Sequence, residues 1–295
     1  MNSLSRVAAS LVFCLMPSGL RADPCARIIS LAPSATEVLF SLGMGERVAA
    51  VTRFDHYPAS VDALPKIGGF LDPNFEQVLG LQPSLVVGLS EQQETLKSLK
   101  KLGLETLTLD HRTVSSILES FSVVGKRCAV EKNSREVTSS LNKDIQVISN
   151  AVAGKPVLRV MIVVGDSDEA ALKNLFISGK DGYFSELLKL AGAENVYQGQ
   201  TMSMPGVSRE GIIRLNPEVI FEIASDPVER QVDAQRILAA WQELSMVSAV
   251  RNNRVYILRD NYFSIPGPRF TLVLKKFAEL LHPGVFANVA TSTSN

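Results

Sequence analysis

The sequence predicts an α/β protein of two lobes, each a mainly parallel sheet flanked by helices, joined by one long rigid helix. In both halves, short apolar segments bounded by turn residues alternate with helical patterns, which is typical of parallel sheets covered on both faces. One phrase also occurs twice: NFEQVLGLQPSLVV at 74–87 returns as SREGIIRLNPEVIF at 208–221, 134 residues later. That offset is too long for a solenoid repeat, so it indicates two similar lobes.

Length and composition limit the number of domains and the class of protein. The 295 residues are 46% hydrophobic and 20% charged, with a formal net charge of zero. Such a chain is long enough for two cores, and no basic cluster marks a nucleic-acid binder. We predict a signal peptide at 1–22, a first lobe at 23–128, an interdomain helix at 129–154, a second lobe at 155–289 and a tail at 290–295.

The N-terminus has the pattern of a secretory signal. Arg6 precedes an apolar stretch at 7–16, which is followed by Pro17-Ser18-Gly19 and by a small residue at Ala22. The stretch is too short to span a bilayer, so we expect cleavage after Ala22 and a periplasmic protein. Because an Asp-Pro pair, rather than small and apolar residues, precedes Cys25, we favour a soluble protein over a lipoprotein.

Two cysteines remain after the expected cleavage, Cys25 and Cys128. An even number of cysteines in an oxidising compartment makes a disulfide between them a candidate. The alternative is two unconnected thiols, and the sequence alone leaves both possibilities open.

The first lobe opens with a strand, a helix and a second strand. The apolar segments 27–31 and 48–52 predict the two strands. The helix between them is predicted to have Ser34 or Thr36 as its N-cap and to end at Gly43, because hydroxyl side chains cap helix starts and glycine ends helices.

Two helix–strand units complete the first lobe. In the segment 76–88 a helix is interrupted by Pro83 and followed by an apolar strand. In the segment 91–110 a helix ends at Gly103 and a strand follows. Both units favour further parallel strands in the same sheet.

A single helix is predicted to connect the lobes. Its apolar residues recur at helical spacing at Val137, Leu141, Ile145, Ile148 and Val152. From 131 to 152 the helix spans about 33 Å at 1.5 Å per residue, and Gly154 and Pro156 end it. A rod of this kind restricts hinge motion, so the cleft between the lobes should be largely preformed.

The second lobe repeats the alternation of strands and helices. Its predicted elements are a strand at 157–165, a helix at 182–192, a helix–strand unit at 208–224, a strand at 255–258 and a last helix at 269–283. The order again favours a parallel sheet.

Each copy of the repeated phrase places a glutamate at the start of a helix, Glu76 in the first and Glu210 in the second. Interaction with the helix dipole, worth about 0.3–1 kcal/mol, explains a single such glutamate. A matched pair on two lobes held apart by a stiff helix instead presents two acidic corners. Such a surface suits a partner with two basic patches.

Four segments give the chain its resemblance to a known family. RIISLAPSATEVLFSLG, NFEQVLGLQPSLVV, VSREGIIRLNPEVIF and the C-terminal GPRF and AELLHP stretches resemble the substrate-binding proteins of type II ABC importers, which serve cobalamin, ferric siderophores and haem. The resemblance covers about residues 26–283, and the paired glutamates are its distinctive part. It implies that Glu76 and Glu210 dock onto arginines of the permease, that the permease and its ATPase are the partners of a monomer, and that the chain is not an enzyme and holds no cofactor.

Within that family the vitamin B12-binding members resemble this chain most. The matched segments imply a corrinoid ligand contacted by Ser34, Ala35, Tyr57, Phe70, Phe176, Asn261, Tyr262 and Ser264. A corrinoid has a broad apolar ring edged with neutral amides, which aromatic walls and a few polar groups suit. The family has a tryptophan at Phe70, an acidic residue near Asn261 and an arginine near Ile265, and Phe70 or Phe176 could instead be ordinary core.

Other ligands and activities remain open. A ferric hydroxamate is close to neutral, whereas a catecholate would need more cations than Arg53, Lys180 and Arg269 at the cleft edges. Haem could use Tyr57 as an axial ligand with Arg53. His56 is a weak metal-ligand candidate, but a bare-metal receptor would need a cluster of ligands. A hydrolase is the remote alternative, since the P-loop, G-x-S-x-G and H-E-x-x-H motifs are missing from the sequence.

Overall fold

A computed structural model describes residues 23–165, 172, 175–200, 204–223 and 234–287. The predicted signal peptide at 1–22 and the predicted tail at 290–295 lie outside these residues. Within them the chain forms two lobes, each built on a four-stranded parallel sheet. This is the predicted fold class, while the domain boundaries stay predictions.

The first lobe alternates strands and helices from its start. In chain order its elements are β1 (Ile28–Ser30), α1 (Pro33–Ser41), β2 (Val48–Ala50), α2 (Phe75–Gly80), β3 (Leu85–Leu89), α3 (Gln93–Lys101), β4 (Thr106–Leu109) and α4 (Val114–Arg127). The sheet has the order β2-β1-β3-β4, and every pairing is parallel. Both central strands are fully buried, as expected for a sheet covered on both faces.

The helix α5 (Glu131–Val152) joins the lobes over the span that the sequence predicts. It packs against α4 on one side. Its buried face contains Leu141, Ile148 and Val152, three of the five positions at helical spacing. The other two, Val137 and Ile145, are partly buried against the same core.

The second lobe follows α5. Its elements are β5 (Leu158–Val164), β6 (Leu175–Phe176), α6 (Tyr183–Leu190), β7 (Ala193–Asn195), β8 (Gly206–Val207), α7 (Arg209–Leu215), β9 (Val219–Ile223), α8 (Ala234–Gln242), α9 (Ser248–Arg251), β10 (Val255–Leu258) and α10 (Phe270–Leu281). The parallel sheet has the order β10-β9-β5-β7. A separate antiparallel ribbon of β6 and β8 was not predicted.

One hydrophobic core runs through both lobes. It includes Phe121 of α4, Leu187 of α6 and Phe277 of α10, all fully buried, together with residues of both sheets. Helices α5 and α6 contact α10, and α4 contacts α6. Because moving one lobe would disrupt this shared core, packing as well as α5 holds the lobes in place.

Two local predictions have clear outcomes. The predicted disulfide is present: Cys25 before β1 is bonded to Cys128 at the end of α4. The predicted N-cap of α1 is wrong, since the helix begins with Pro33 and Ala32 occupies the cap position. Proline suits the first helical position because it lacks the N–H that would be left unpaired there.

Candidate functional site

A cavity of about 450 Å³ lies between the lobes. In the first lobe its lining residues end or follow β3, follow β1 and β4, or lie in the loops between β2 and α2. In the second lobe they are Met204 and residues of the segment 261–266, which follows β10. Parallel α/β sheets bind ligands outside the carboxyl ends of their strands. The topology therefore directs the ligand-binding edges of both sheets toward one shared cleft.

The cavity lining is mainly apolar, with a few polar groups. Its apolar residues are Ala32, Pro33, Phe54, Phe70, Leu89, Met204, Ile265 and Pro266. Its polar residues are Ser34, His56, Glu91, His111, Asn261 and Ser264. This combination of apolar area and a few orienting polar groups is usual for small-molecule sites.

Four of the eight predicted ligand contacts line this cavity, namely Ser34, Phe70, Asn261 and Ser264. Phe70 is positioned by the buried side chain of Gln92, whose amide nitrogen donates to the Phe70 carbonyl at 2.6 Å and to the Leu31 carbonyl at 2.8 Å. The loop that carries Phe70 is thereby fixed to the chain that leaves β1.

The other four predicted contacts lie outside the cavity lining. Ala35 is fully buried in the core, and Phe176 on the β6–β8 ribbon is 57% exposed. Tyr57 is 47% exposed in the loop after β2. The Tyr262 hydroxyl donates to Asp260 at 3.1 Å. Half of the predicted ligand contacts therefore line the cavity, and the other half are buried in the core, exposed to solvent or bonded to another residue.

A buried ion pair connects the lobes behind the cavity. The Arg269 guanidinium, at the start of α10, donates to both carboxylate oxygens of Glu37 in α1, at 2.6 and 3.0 Å. Burial raises the pKa of Glu37, against the lowering effect of Arg269. The remaining guanidinium nitrogen of Arg269, Nη1, donates to Asn261 Oδ1 at 2.8 Å. The Cζ atom of Arg269 lies 4.2 Å from the centre of the Tyr57 ring.

Arg53, the second cation proposed for the cleft, is also paired. Its guanidinium lies 3.3 Å from the Asp72 carboxylate, with both side chains more than half exposed. Glu91 adds a carboxylate to the cavity lining. Among the described residues, Arg269 is thus neutralised by a buried carboxylate and Arg53 is screened by water and Asp72, which disfavours a strongly anionic ligand.

His111 is a cavity residue that the sequence prediction did not identify. It follows β4, is 3% exposed, and its Nδ1 lies 2.8 Å from Ser34 Oγ. Burial lowers the pKa of His111 to about 4, so the ring is neutral at physiological pH. The available signal was its position, since a polar residue after a parallel strand faces the ligand edge of the sheet.

The two copies of the repeated phrase fold alike. Helices α2 and α7 are capped by Asn74 and Ser208, whose side chains accept from the backbone N–H three residues later. Both segments then turn through a left-handed residue, Gln82 with φ 48° and Asn216 with φ 43°. The repetition thus extends from the sequence to the backbone, including a conformation that non-glycine residues seldom adopt.

These helices present matching side chains to solvent. Glu76 and Glu210, in the first turns of α2 and α7, are both exposed. Three residues later Leu79 and Ile213 are 36% and 37% exposed, on the same helix face. Hydrogen bonds from its own backbone N–H and from Ser208 lower the pKa of Glu210. Each lobe therefore carries a carboxylate beside an exposed apolar side chain.

The described residues give no sign of a bare-metal site. Among them no group of three or more His, Cys, Asp or Glu side chains could hold a metal ion, and His56 is an exposed residue of the cavity lining.

None of the helices in the described ranges is long and apolar enough to cross a membrane.

Comparisons with known proteins agree on one class. The profile of a periplasmic binding protein family matches residues 28–262. The chain is 30% identical to the ABC transporter substrate-binding lipoprotein YvrC of Bacillus subtilis, covering 88% of this chain and 81% of YvrC. It is 28% identical to a vitamin B12-binding protein of Pectobacterium atrosepticum, covering 86% and 88%. The solved haem-binding protein BhuT has the same fold, with a TM-score of 0.76, 22% identity and coverage of 88% and 98%.

Proposed function

Because this chain belongs to the periplasmic binding protein family, and so to the substrate-binding proteins of ABC importers, we propose that it captures a corrinoid in its inter-lobe cleft and delivers it to an importer. The observation that carries the choice of ligand is the charge of the cleft. Among the described residues, the buried Arg269 behind the cavity is paired with Glu37, whereas the exposed Arg53–Asp72 pair beside the cleft is screened by solvent. The lining is mainly apolar, with an amide, hydroxyls, two imidazoles and the Glu91 carboxylate. A broad, neutral, amide-edged ligand fits that surface.

The cleft residues have distinct roles in this proposal. Phe70 and Phe54 offer aromatic area, and apolar burial contributes about 25 cal/mol per Å². Asn261, Ser264 and Ser34 supply polar groups that orient the ring. Tyr57 and Phe176 stand exposed, so they would contact parts of the ligand that extend beyond the 450 Å³ cavity.

Haem and ferric hydroxamates are the alternative ligands of the same class. Two histidines in the cavity lining, His56 and His111, favour haem, because imidazole is a usual axial ligand. The haem propionates, however, would meet Arg53 and Arg269 already paired. A hydroxamate chelate is closer to neutral and meets no such obstacle.

Delivery would use the two duplicated helices. We infer that Glu76 and Glu210 meet cationic side chains of the permease and that Leu79 and Ile213 add an apolar contact beside each one. The carboxylates would mainly direct orientation and encounter rate. A periplasmic location is supported by the Cys25–Cys128 disulfide, since disulfides persist in oxidising compartments.

The ligand is tested by isothermal titration of the purified protein with cyanocobalamin, ferrichrome and haemin in parallel. We expect cyanocobalamin to bind with the highest affinity. A protein that binds ferrichrome or haemin and not cyanocobalamin would overturn the corrinoid assignment while leaving the importer class intact.

A further inference from the structure

We propose that Glu37 determines the charge selectivity of the cleft by neutralising Arg269, so that a neutral chelate is accepted in preference to an anionic one. This inference rests on the proposed function, because it concerns the ligand of the same cleft. Glu37 is 232 residues from Arg269 in sequence, on the opposite lobe, and neither residue is among those that line the cavity.

The geometry leaves little of the Arg269 charge available. Two of its nitrogens donate to Glu37, the third donates to Asn261, and its Cζ lies 4.2 Å from the centre of the Tyr57 ring. The Glu37 side chain is 2% exposed and that of Arg269 is 13% exposed. Solvent therefore screens the pair weakly, and within the described residues Glu37 is the carboxylate that forms an ion pair with this guanidinium.

The same pair determines which end of Asn261 faces a ligand. Arginine can only donate, so the atom 2.8 Å from its Nη1 must be the Asn261 oxygen. Asn261 is one of the residues that line the cavity, and its amide nitrogen is then the end of the side chain left as a donor. That arrangement suits a carbonyl acceptor, such as those of the amides around a corrin ring.

The other buried carboxylate near Glu37 is that of Asp55. Its Oδ2 accepts from the backbone N–H and the hydroxyl of Thr52, while its Oδ1 has no hydrogen-bond partner among the described residues. The described hydrogen bonds of Arg269 go to Glu37 and Asn261 and not to Asp55. Removing the carboxylate of Glu37 would therefore leave a poorly compensated positive charge behind the cavity wall, where the effective dielectric constant is low.

The chain contains a matched control. Arg53 and Asp72 form an ion pair beside the same cleft, but their side chains are 52% and 66% exposed. Water and salt screen such a pair. Asp72→Asn thus removes a carboxylate from a cleft arginine without creating a buried charge.

The experiment measures the ratio of affinities for cyanocobalamin and for its monocarboxylate derivative, in which one amide is replaced by a carboxylate. We expect Glu37→Gln to shift this ratio about tenfold toward the anion, and Arg269→Gln to shift it in the opposite direction. The double variant should return to the wild-type ratio, and Asp72→Asn should stay within about twofold of it. Cooperative thermal unfolding of each variant is the check on its fold.

An unchanged ratio in a folded Glu37→Gln or Arg269→Gln protein would overturn the proposal, as would an equal shift from Asp72→Asn. Should Glu37→Gln fail to fold, the shift of Arg269→Gln decides. If the wild type binds neither corrinoid, the proposed ligand fails separately, and the same ratio is measured with haemin and its uncharged dimethyl ester.

Discussion

Helices α2 and α7 resemble each other, whereas the two sides of the cleft do not. Helices α2 and α7 match in cap, exposed glutamate, exposed apolar residue and left-handed end. The cleft, by contrast, draws unlike residues from the two lobes, such as Phe70 and His111 from one and Asn261 from the other. The two lobes are therefore alike at the surface proposed to meet a partner, and unlike where a single asymmetric ligand would bind.

The largest effect is expected from breaking the matched pair. Reversing both charges, Glu76→Lys with Glu210→Lys, should abolish ligand uptake by cells, because each corner would repel a cationic partner. Uptake is measured with labelled cyanocobalamin in a strain that depends on this protein. The matched control reverses two other exposed glutamates, Glu119 and Glu194, and should transport normally; equal loss in the control would point to net charge instead of docking.

The lobes also differ in covalent restraint, since the disulfide lies in the first lobe alone. Replacing Cys25 and Cys128 with serine should lower the free energy of unfolding by about 2–5 kcal/mol, because the bond closes a long loop in the unfolded chain. Urea unfolding with and without reductant measures this. Under reducing conditions the wild type has no disulfide either. A variant that is still less stable than the reduced wild type would show that the substitutions act through packing and not through loss of the bond.

Acid should act on the cleft through His111. The pKa of His111 is about 4 in the folded protein, against an ordinary 6.5. The contribution of this residue to the free energy of unfolding is therefore complete above pH 6.5 and is lost as the pH falls toward 4. At pH 5 that loss is about 2 kcal/mol. Burial raises the pKa values of Glu37 and Asp55, which favours the folded state on the acid side and opposes the loss.

Urea unfolding at pH 7 and pH 5 measures the effect of His111. His111→Gln should show the smaller fall in unfolding free energy between the two pH values. Identical falls in wild type and variant would mean that His111 does not titrate in this range.

The smallest effect is expected from a change in the cleft lining. Phe70→Ala should weaken cyanocobalamin binding about tenfold by removing aromatic area from the lining. Leu71→Ala is the matched control, since Leu71 is the next residue and is 76% exposed. Calorimetry measures both, and equal affinities for the two variants would remove Phe70 from the site.

What the sequence could predict was mostly local. Helix α5 follows from apolar spacing, and α2 and α7 follow from a phrase that each lobe contains in full. The Glu37–Arg269 pair could not be found this way, because its partners are 232 residues apart and meet only in the folded protein. The prediction of Ser34 as a helix cap is wrong for a similar reason. The hydroxyl of Ser34 bonds to His111, which is 77 residues away in sequence and adjacent only in the folded protein.

The most direct test of independent docking and binding surfaces is the cyanocobalamin affinity of the purified Glu76→Lys/Glu210→Lys protein, measured by calorimetry beside the wild type. We predict equal dissociation constants within about twofold, because both glutamates are exposed and lie outside the cavity lining. A clear loss of affinity in the folded double variant would contradict the account, since it would place the duplicated glutamates in the ligand site.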